Sequence, residues 1–156
     1  MELTRNLRVD SATRLGPSPP RHLDEGCPVA DAVEIMRRER VGCLLVTRAG
    51  KLIGVFTERD LLARVLAPGR PLSTKLADCY TPDPVTIDPK DTVKTGIDRM
   101  QAGGYRHLPI ITADGTPVGI LSAKQVVRYL VDHFPGIVYN LPPRPHDNYP
   151  SEPEGA

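Results

Sequence analysis

Hydrophobic positions along the chain follow one grammar, and they follow it twice. An extended segment at Pro20-Arg21-His22-Leu23 leads to apolar residues at i, i+4 and i+7, namely Val29, Val33 and Met36. This spacing predicts a helix with a single apolar face. Two short runs follow, Cys43-Leu44-Leu45-Val46-Thr47 and Leu52-Ile53-Gly54-Val55-Phe56, joined through Ala49-Gly50. They read as two strands of a hairpin. Leu61, Leu62, Val65 and Leu66 then fall at i, i+1, i+4 and i+5, which predicts a closing helix.

The same order recurs from Pro84-Val85-Thr86-Ile87, through the helical face Val93, Ile97 and Met100, to the strands Leu108–Ile111 and Val118–Leu121. Asp114-Gly115 joins those strands, and Val126, Val127, Leu130 and Val131 close the unit. Pro20 matches Pro84, Val29 matches Val93 and Leu44 matches Leu108 at an offset of 64, which becomes 65 after Asp114. Self-similarity at a fixed period marks a duplicated unit. A unit of roughly 55 residues buries little apolar surface alone, so the two are expected to pack together, with any site at their seam.

Composition adds exclusions. The 156 residues carry a net charge of +1, which gives no electrostatic reason to expect nucleic acid. Arg37-Arg38-Glu39-Arg40 closes a predicted helix, where cations suit the dipole. Cys27, Cys43 and Cys79 are widely spaced, with no zinc or disulfide pattern, and Cys43 falls in an apolar strand. The four histidines, His22, His107, His133 and His146, lack metal-ligand spacing. No apolar stretch reaches the roughly 18 residues of a membrane helix, and none follows Met1 as a leader would. The expectation is a cytoplasmic, non-enzymatic protein with no metal, membrane or nucleic-acid partner.

The candidate chemistry lies in Thr57-Glu58-Arg59-Asp60, where a strand gives way to a helix, and in its altered copy Ser122-Ala123-Lys124-Gln125. A helix start offers N–H groups to phosphate, and an Asp can accept both hydroxyls of a ribose. A hydroxyl residue followed three positions later by an acid or amide is equally a helix capping box. Spacing alone leaves both readings open.

Taken whole, the repeated units, each with Gly-hydrophobic-hydrophobic-Thr/Ser before its last helix, resemble a tandem pair of cystathionine beta-synthase (CBS) domains. Gly54-Val55-Phe56-Thr57-Glu58-Arg59-Asp60-Leu61-Leu62 and Leu76-Ala77-Asp78-Cys79-Tyr80-Thr81-Pro82 carry the resemblance, with Tyr80 where Met is common. It implies an α+β fold of two β-α-β-β-α repeats related by a pseudo-two-fold axis, at residues 17–75 and 76–134. A segment 1–16 would precede them and a disordered Pro-rich tail, 135–156, would follow.

The resemblance further implies a regulatory adenosine ligand, AMP, ADP, ATP or S-adenosylmethionine, between the repeats, and no catalytic cofactor. Asp60 would hold ribose, Thr57 the phosphate or ribose side and Val55 the base. Thr81, Val85, Tyr105, Arg106 and His107 would complete the cleft, with Arg106 and His107 at the phosphate. Ser122 and Gln125 would form a weaker second cleft, because Gln125 replaces the ribose carboxylate. A stand-alone sensor that forms a homodimer and signals to a protein partner is expected, with a ligand-free scaffolding module as the alternative.

Overall fold

The computed structural model describes residues 2–136. The expectation of a disordered tail falls, from residue 137 onward, outside the described residues. Helix α1 (Glu2–Val9) and a 3-10 turn (Ala12–Leu15) precede the first repeat. That repeat consists of β1 (His22–Asp24), α2 (Val29–Glu39), the hairpin β2 (Cys43–Arg48) and β3 (Lys51–Thr57), and a closing helix. The closing helix begins as α3 (Glu58–Asp60) and continues as a π-helical turn at Leu61–Leu66. After a 3-10 turn at Leu76–Asp78 come β4 (Thr81–Pro82), α4 (Val93–Gly103), β5 (His107–Ile111), β6 (Pro117–Ser122) and α5 (Ala123–His133).

The first sheet has the order β1-β2-β3-β4, in which β4 pairs antiparallel with β3. The second is the hairpin β5-β6, extended by single bridges from Ile87 to Ile110 and from Ser18 to Ile120. Pro84–Ile87, expected as a strand, contributes only that one parallel bridge. The prolines explain this, since Pro82 and Pro84 bring no N–H to a ladder.

Each repeat receives the segment that leads into the other. Leu76 and Cys79 are buried in the first core with Val29, Leu44, Val46, Phe56 and Val65. Ala12 and Leu15 are buried in the second, with Val93, Leu108, Leu121 and Tyr129. Backbone bonds repeat the exchange: the Val29 N–H donates to the Thr74 carbonyl, and the Val93 N–H, 64 positions on, donates to that of Asp10. These bonds satisfy donors at helix starts, and at α2 they stand in for a cap that Pro28 cannot supply. The N-terminal segment, expected only to precede the repeats, thus packs on the second core through Leu7, Ala12 and Leu15. The Tyr129 hydroxyl donates to Asp10, and this bond together with Arg14 holds the Asp10 carboxyl below its ordinary pKa. Its stabilising effect is present above the unfolded carboxyl pKa and fades as pH falls through the lower folded value.

At the far end the hairpins touch. Lys51 Nζ donates to Asp114 Oδ2 at 2.7 Å and Thr116 Oγ1 at 3.0 Å, and the Leu52 N–H to the Gly115 carbonyl at 3.0 Å. Asp114, the residue inserted in the turn of the second hairpin, therefore reaches across the seam.

Gly54 is the tightest point of the first sheet. A Cβ there would lie 2.2 Å from the Tyr80 ring and 2.5 Å from the Thr81 carbonyl oxygen. Gly54→Ala is expected to destabilise by about 2 kcal/mol or more in urea titration. Gly96→Ala in α4, whose Cβ would meet the side-chain end of Leu121 at 3.1 Å and of Ile87 at 4.0 Å but no backbone atom, should stay within about 1 kcal/mol. Equal costs would show that the Tyr80–Gly54 packing imposes no special constraint.

Candidate functional site

The switch from β3 to α3 is made by a reciprocal cap. The Asp60 N–H donates to Thr57 Oγ1 at 3.2 Å, while the Thr57 N–H donates to Asp60 Oδ2 at 3.0 Å. The Thr57 hydroxyl also donates to Oδ2, at 3.1 Å. Asp60 is only 5% exposed, so its carboxylate needs these donors. Its other oxygen faces β4: the Thr81 hydroxyl donates to Oδ1 at 2.8 Å, and Arg64 Nε stands 3.4 Å from the same atom. Strand pairing sets Val55 opposite Thr81.

The second repeat builds the same knot without charge. Ser122 and Gln125 close a capping box, and Gln125 Nε2 donates to Ser18 Oγ at 2.9 Å. Ser18 is the counterpart of Thr81. The signal was present in the sequence as a hydroxyl residue before proline, Ser18-Pro19 and Thr81-Pro82, but the segments that follow differ by one residue in length. Aligning Pro20 with Pro84 hid the match.

Of the expected ligand residues, the structure joins Val55, Thr57, Asp60 and Thr81. Val85 packs against the second core. Tyr105 lies over Gly103, where a Cβ would approach its ring to 2.0 Å, and lines an apolar groove of about 390 Å³ with Met100 and Val126. The Arg106 carbonyl accepts from the Ala123 N–H, the first of α5. His107 pairs with Ser122 in the β5–β6 register, as Cys43 pairs with Thr57. Partial desolvation and the adjacent Arg106 charge lower the His107 pKa. Among the described residues, no side-chain hydrogen bond or ion pair links Arg106 or His107 to Thr57 or Asp60. Arg64 and Tyr80, which sequence spacing did not single out, do reach the carboxylate's surroundings.

Burial, and then the negative Asp60, push the Cys43 thiol up to about 11, so it is a neutral core side chain. A cleft of about 450 Å³ lies between Ile53, Tyr80, the crossing segment Pro82–Pro84, Thr86 and Ile111. It adjoins β4 but contains neither Thr57 nor Asp60, so hydrogen-bond geometry rather than cavity size marks the candidate site. Among the described residues there is no cluster of three metal-ligating side chains, and no helix is long and apolar enough to cross a membrane.

The CBS domain pattern matches residues 15–67 and 76–132. The chain belongs to the CBS domain family. It is 36% identical over 109 residues to the mitochondrial CBS domain-containing protein CBSX3 of Arabidopsis thaliana, covering 66% of this chain and 52% of that protein. The chain thus spans about half the length of that relative. The crystal structure of CBSX2 in complex with AMP superposes with a TM-score of 0.69 at 23% identity, covering 80% of this chain and 98% of that one. The CBS domain pair of MJ0100, in complex with 5'-methylthioadenosine and S-adenosyl-L-methionine, gives a TM-score of 0.68 at 20% identity, covering 77% and 98%. The fold is therefore that of a CBS pair, with two mixed α/β repeats. CBS pairs are generally regulatory rather than catalytic modules.

In a ligand-free protein, Asp60→Ala is expected to cost about 1–3 kcal/mol, from the lost cap and the partnerless Thr81 hydroxyl. Asp60→Asn should cost less, because one acceptor oxygen remains. Urea midpoints check this, and an unchanged midpoint for Asp60→Ala would remove the structural role of the carboxylate.

Proposed function

We propose that this CBS pair is a non-catalytic sensor of an adenosine-containing ligand, held at the Asp60 cleft between the repeats. The observation that carries this reading is a buried carboxylate at the seam whose partners include two hydroxyl groups, the type of donor a ribose diol presents. Asp60 takes the ribose, Thr57 and Thr81 the ribose or phosphate side, and Val55 and Val85 flank the base. Tyr105, Arg106 and His107 approach from the second repeat once the cleft is filled. Repeats at 17–75 and 76–134 remain the working division of the chain. The AMP, 5'-methylthioadenosine and S-adenosyl-L-methionine held by the structural neighbours support the ligand class. AMP, ADP, ATP and S-adenosylmethionine are the candidates.

Gln125, already satisfied at both ends of its amide, makes the second cleft weak or empty. The three free cysteines agree with a cytoplasmic or other reducing location. A ligand-free interaction module is the second reading, and the complete capping boxes favour it, since every bond of Asp60 already has a structural use.

Thermal-shift and calorimetric titration separate the two. A ligand at a hundred times its dissociation constant stabilises by about 2.7 kcal/mol. Binding is expected at about one site per chain, lost in Asp60→Ala and kept in Gln125→Ala. The reverse pattern would identify the wrong cleft, and silence from all four ligands would favour the scaffold.

Homodimerisation completes the reading, with a protein partner responding to the dimer. Leu62 is 61%, Leu66 51% and Val127 59% exposed on the closing helices, and Val127 lines the α4–α5 groove. The exposed apolar face is narrow, because Val65 is buried and Val126 and Leu130 pack on the second core. Light scattering at micromolar concentration should return about twice the 17.1 kDa chain mass. A monomer with and without nucleotide would exclude the dimer.

A further inference from the structure

The Asp60 carboxylate offers roughly four lone-pair directions, and little of that capacity is free. Oδ2 is held by the Thr57 N–H and hydroxyl, which form the cap of the closing helix and cannot leave without undoing it. Oδ1 is held from outside the cap, by the Thr81 hydroxyl at 2.8 Å and the Arg64 guanidinium at 3.4 Å. Oδ1 is therefore the oxygen at which an incoming hydroxyl exchanges. When it does, Arg64 stays beside the site, because its Nη1 separately donates to the Tyr80 carbonyl at 2.7 Å. Its side chain is 47% exposed and the Asp60 side chain only 6%, so the guanidinium faces outward over a buried negative charge.

The second repeat carries no such cation. Tyr129 stands 65 positions after Arg64, buried and bonded to Asp10, just as Gln125 stands 65 after Asp60. The charge pair is thus confined to the cleft with the carboxylate. An isolated carboxylate would repel a phosphate carried on the same ribose, and a guanidinium beside it cancels that repulsion.

We infer that Arg64 is a specificity-determining residue that makes the Asp60 cleft prefer phosphorylated nucleosides to nucleosides. The inference rests on the ligand reading proposed above and assigns phosphate selection to Arg64 rather than to Arg106, whose side chain makes no hydrogen bond or ion pair to Thr57 or Asp60.

The test is calorimetry of AMP and adenosine against the parent, Arg64→Gln, Arg64→Lys and Arg106→Gln at two salt concentrations. In Arg64→Gln the affinity for AMP should fall about tenfold while adenosine changes less than about threefold, and the salt dependence of AMP binding should flatten. Arg64→Lys keeps the charge while losing the fork, and should restore most of the AMP-to-adenosine ratio; thermal melts confirm that each variant is folded. Equal losses for both ligands in Arg64→Gln would reduce Arg64 to a prop for Asp60 and overturn the inference. So would a ratio that collapses only in Arg106→Gln. If Arg64→Gln does not fold, a ratio lost in Arg64→Lys overturns it. Binding of neither ligand by the parent is a different failure, that of the nucleotide reading itself, and takes the inference with it.

Discussion

Everything at the seam depends on the reciprocal exchange of lead-in segments. Residues 76–82 run along the first repeat and bury Leu76 and Cys79 in its core, and residues 12–18 do the same for the second with Ala12 and Leu15. Burial of a large apolar side chain is worth about 1.5–3 kcal/mol, so these anchors hold the lead-ins in place and thereby fix what comes next along the chain. What comes next is a hydroxyl: Thr81 beside Asp60, Ser18 beside Gln125. Neither knot forms from one repeat alone, because the Asp60 carboxylate and the Gln125 amide each meet a hydroxyl on the segment leading into the other repeat.

A duplicated frame with a handful of exchanged residues yields two unlike halves. Asp60 and Arg64 make the first half ionic, and Gln125 and Tyr129 make the second neutral. Tyr129, its phenol pushed up to about 12 by burial and then by the Asp10 bond, remains a hydrogen-bond donor to Asp10, just past the end of α1, and fastens the N-terminal segment over the second core. The half that gained this anchor is the half that lacks a carboxylate at its seam. An ion pair and an N-terminal anchor have been divided between copies of one unit.

Much of this was legible in the sequence. Periodicity gave the helices α2 and α4 and the two hairpins, since side-chain burial directly imposes spacings of 3.6 and 2 residues. The Thr57–Asp60 and Ser122–Gln125 pairs were legible because a capping box acts over three residues. The exchange of lead-ins was not, because Leu76 and Ala12 are apolar residues whose partners lie far along the chain, and local spacing says nothing of which core receives them. Nor was the π-helical turn, whose i→i+5 bond from the Ala67 N–H to the Leu62 carbonyl leaves the apolar pattern of Leu61–Leu66 readable as an ordinary helix. Arg64 was hidden for the same reason: a basic residue in a closing helix looks like a solvated charge until the buried carboxylate below it is seen.

Because the cap and the proposed site share Asp60, a ligand bound there would disturb the seam. A hydroxyl arriving at Oδ1 competes with Thr81, and Thr81 belongs to β4, held on β3 by only two paired residues. From β4 the chain crosses through Pro82 and Pro84 to Ile87, which bridges to Ile110 in the second sheet. Two prolines restrict that crossing, so a change at its start is transmitted rather than absorbed. The hairpin clasp of Lys51 and Asp114 holds the opposite end of the two sheets together. With the repeats clasped there, displacement of Thr81 would act on the angle between them. This relative angle is the quantity through which a ligand at Asp60 would bias whatever binds the helices.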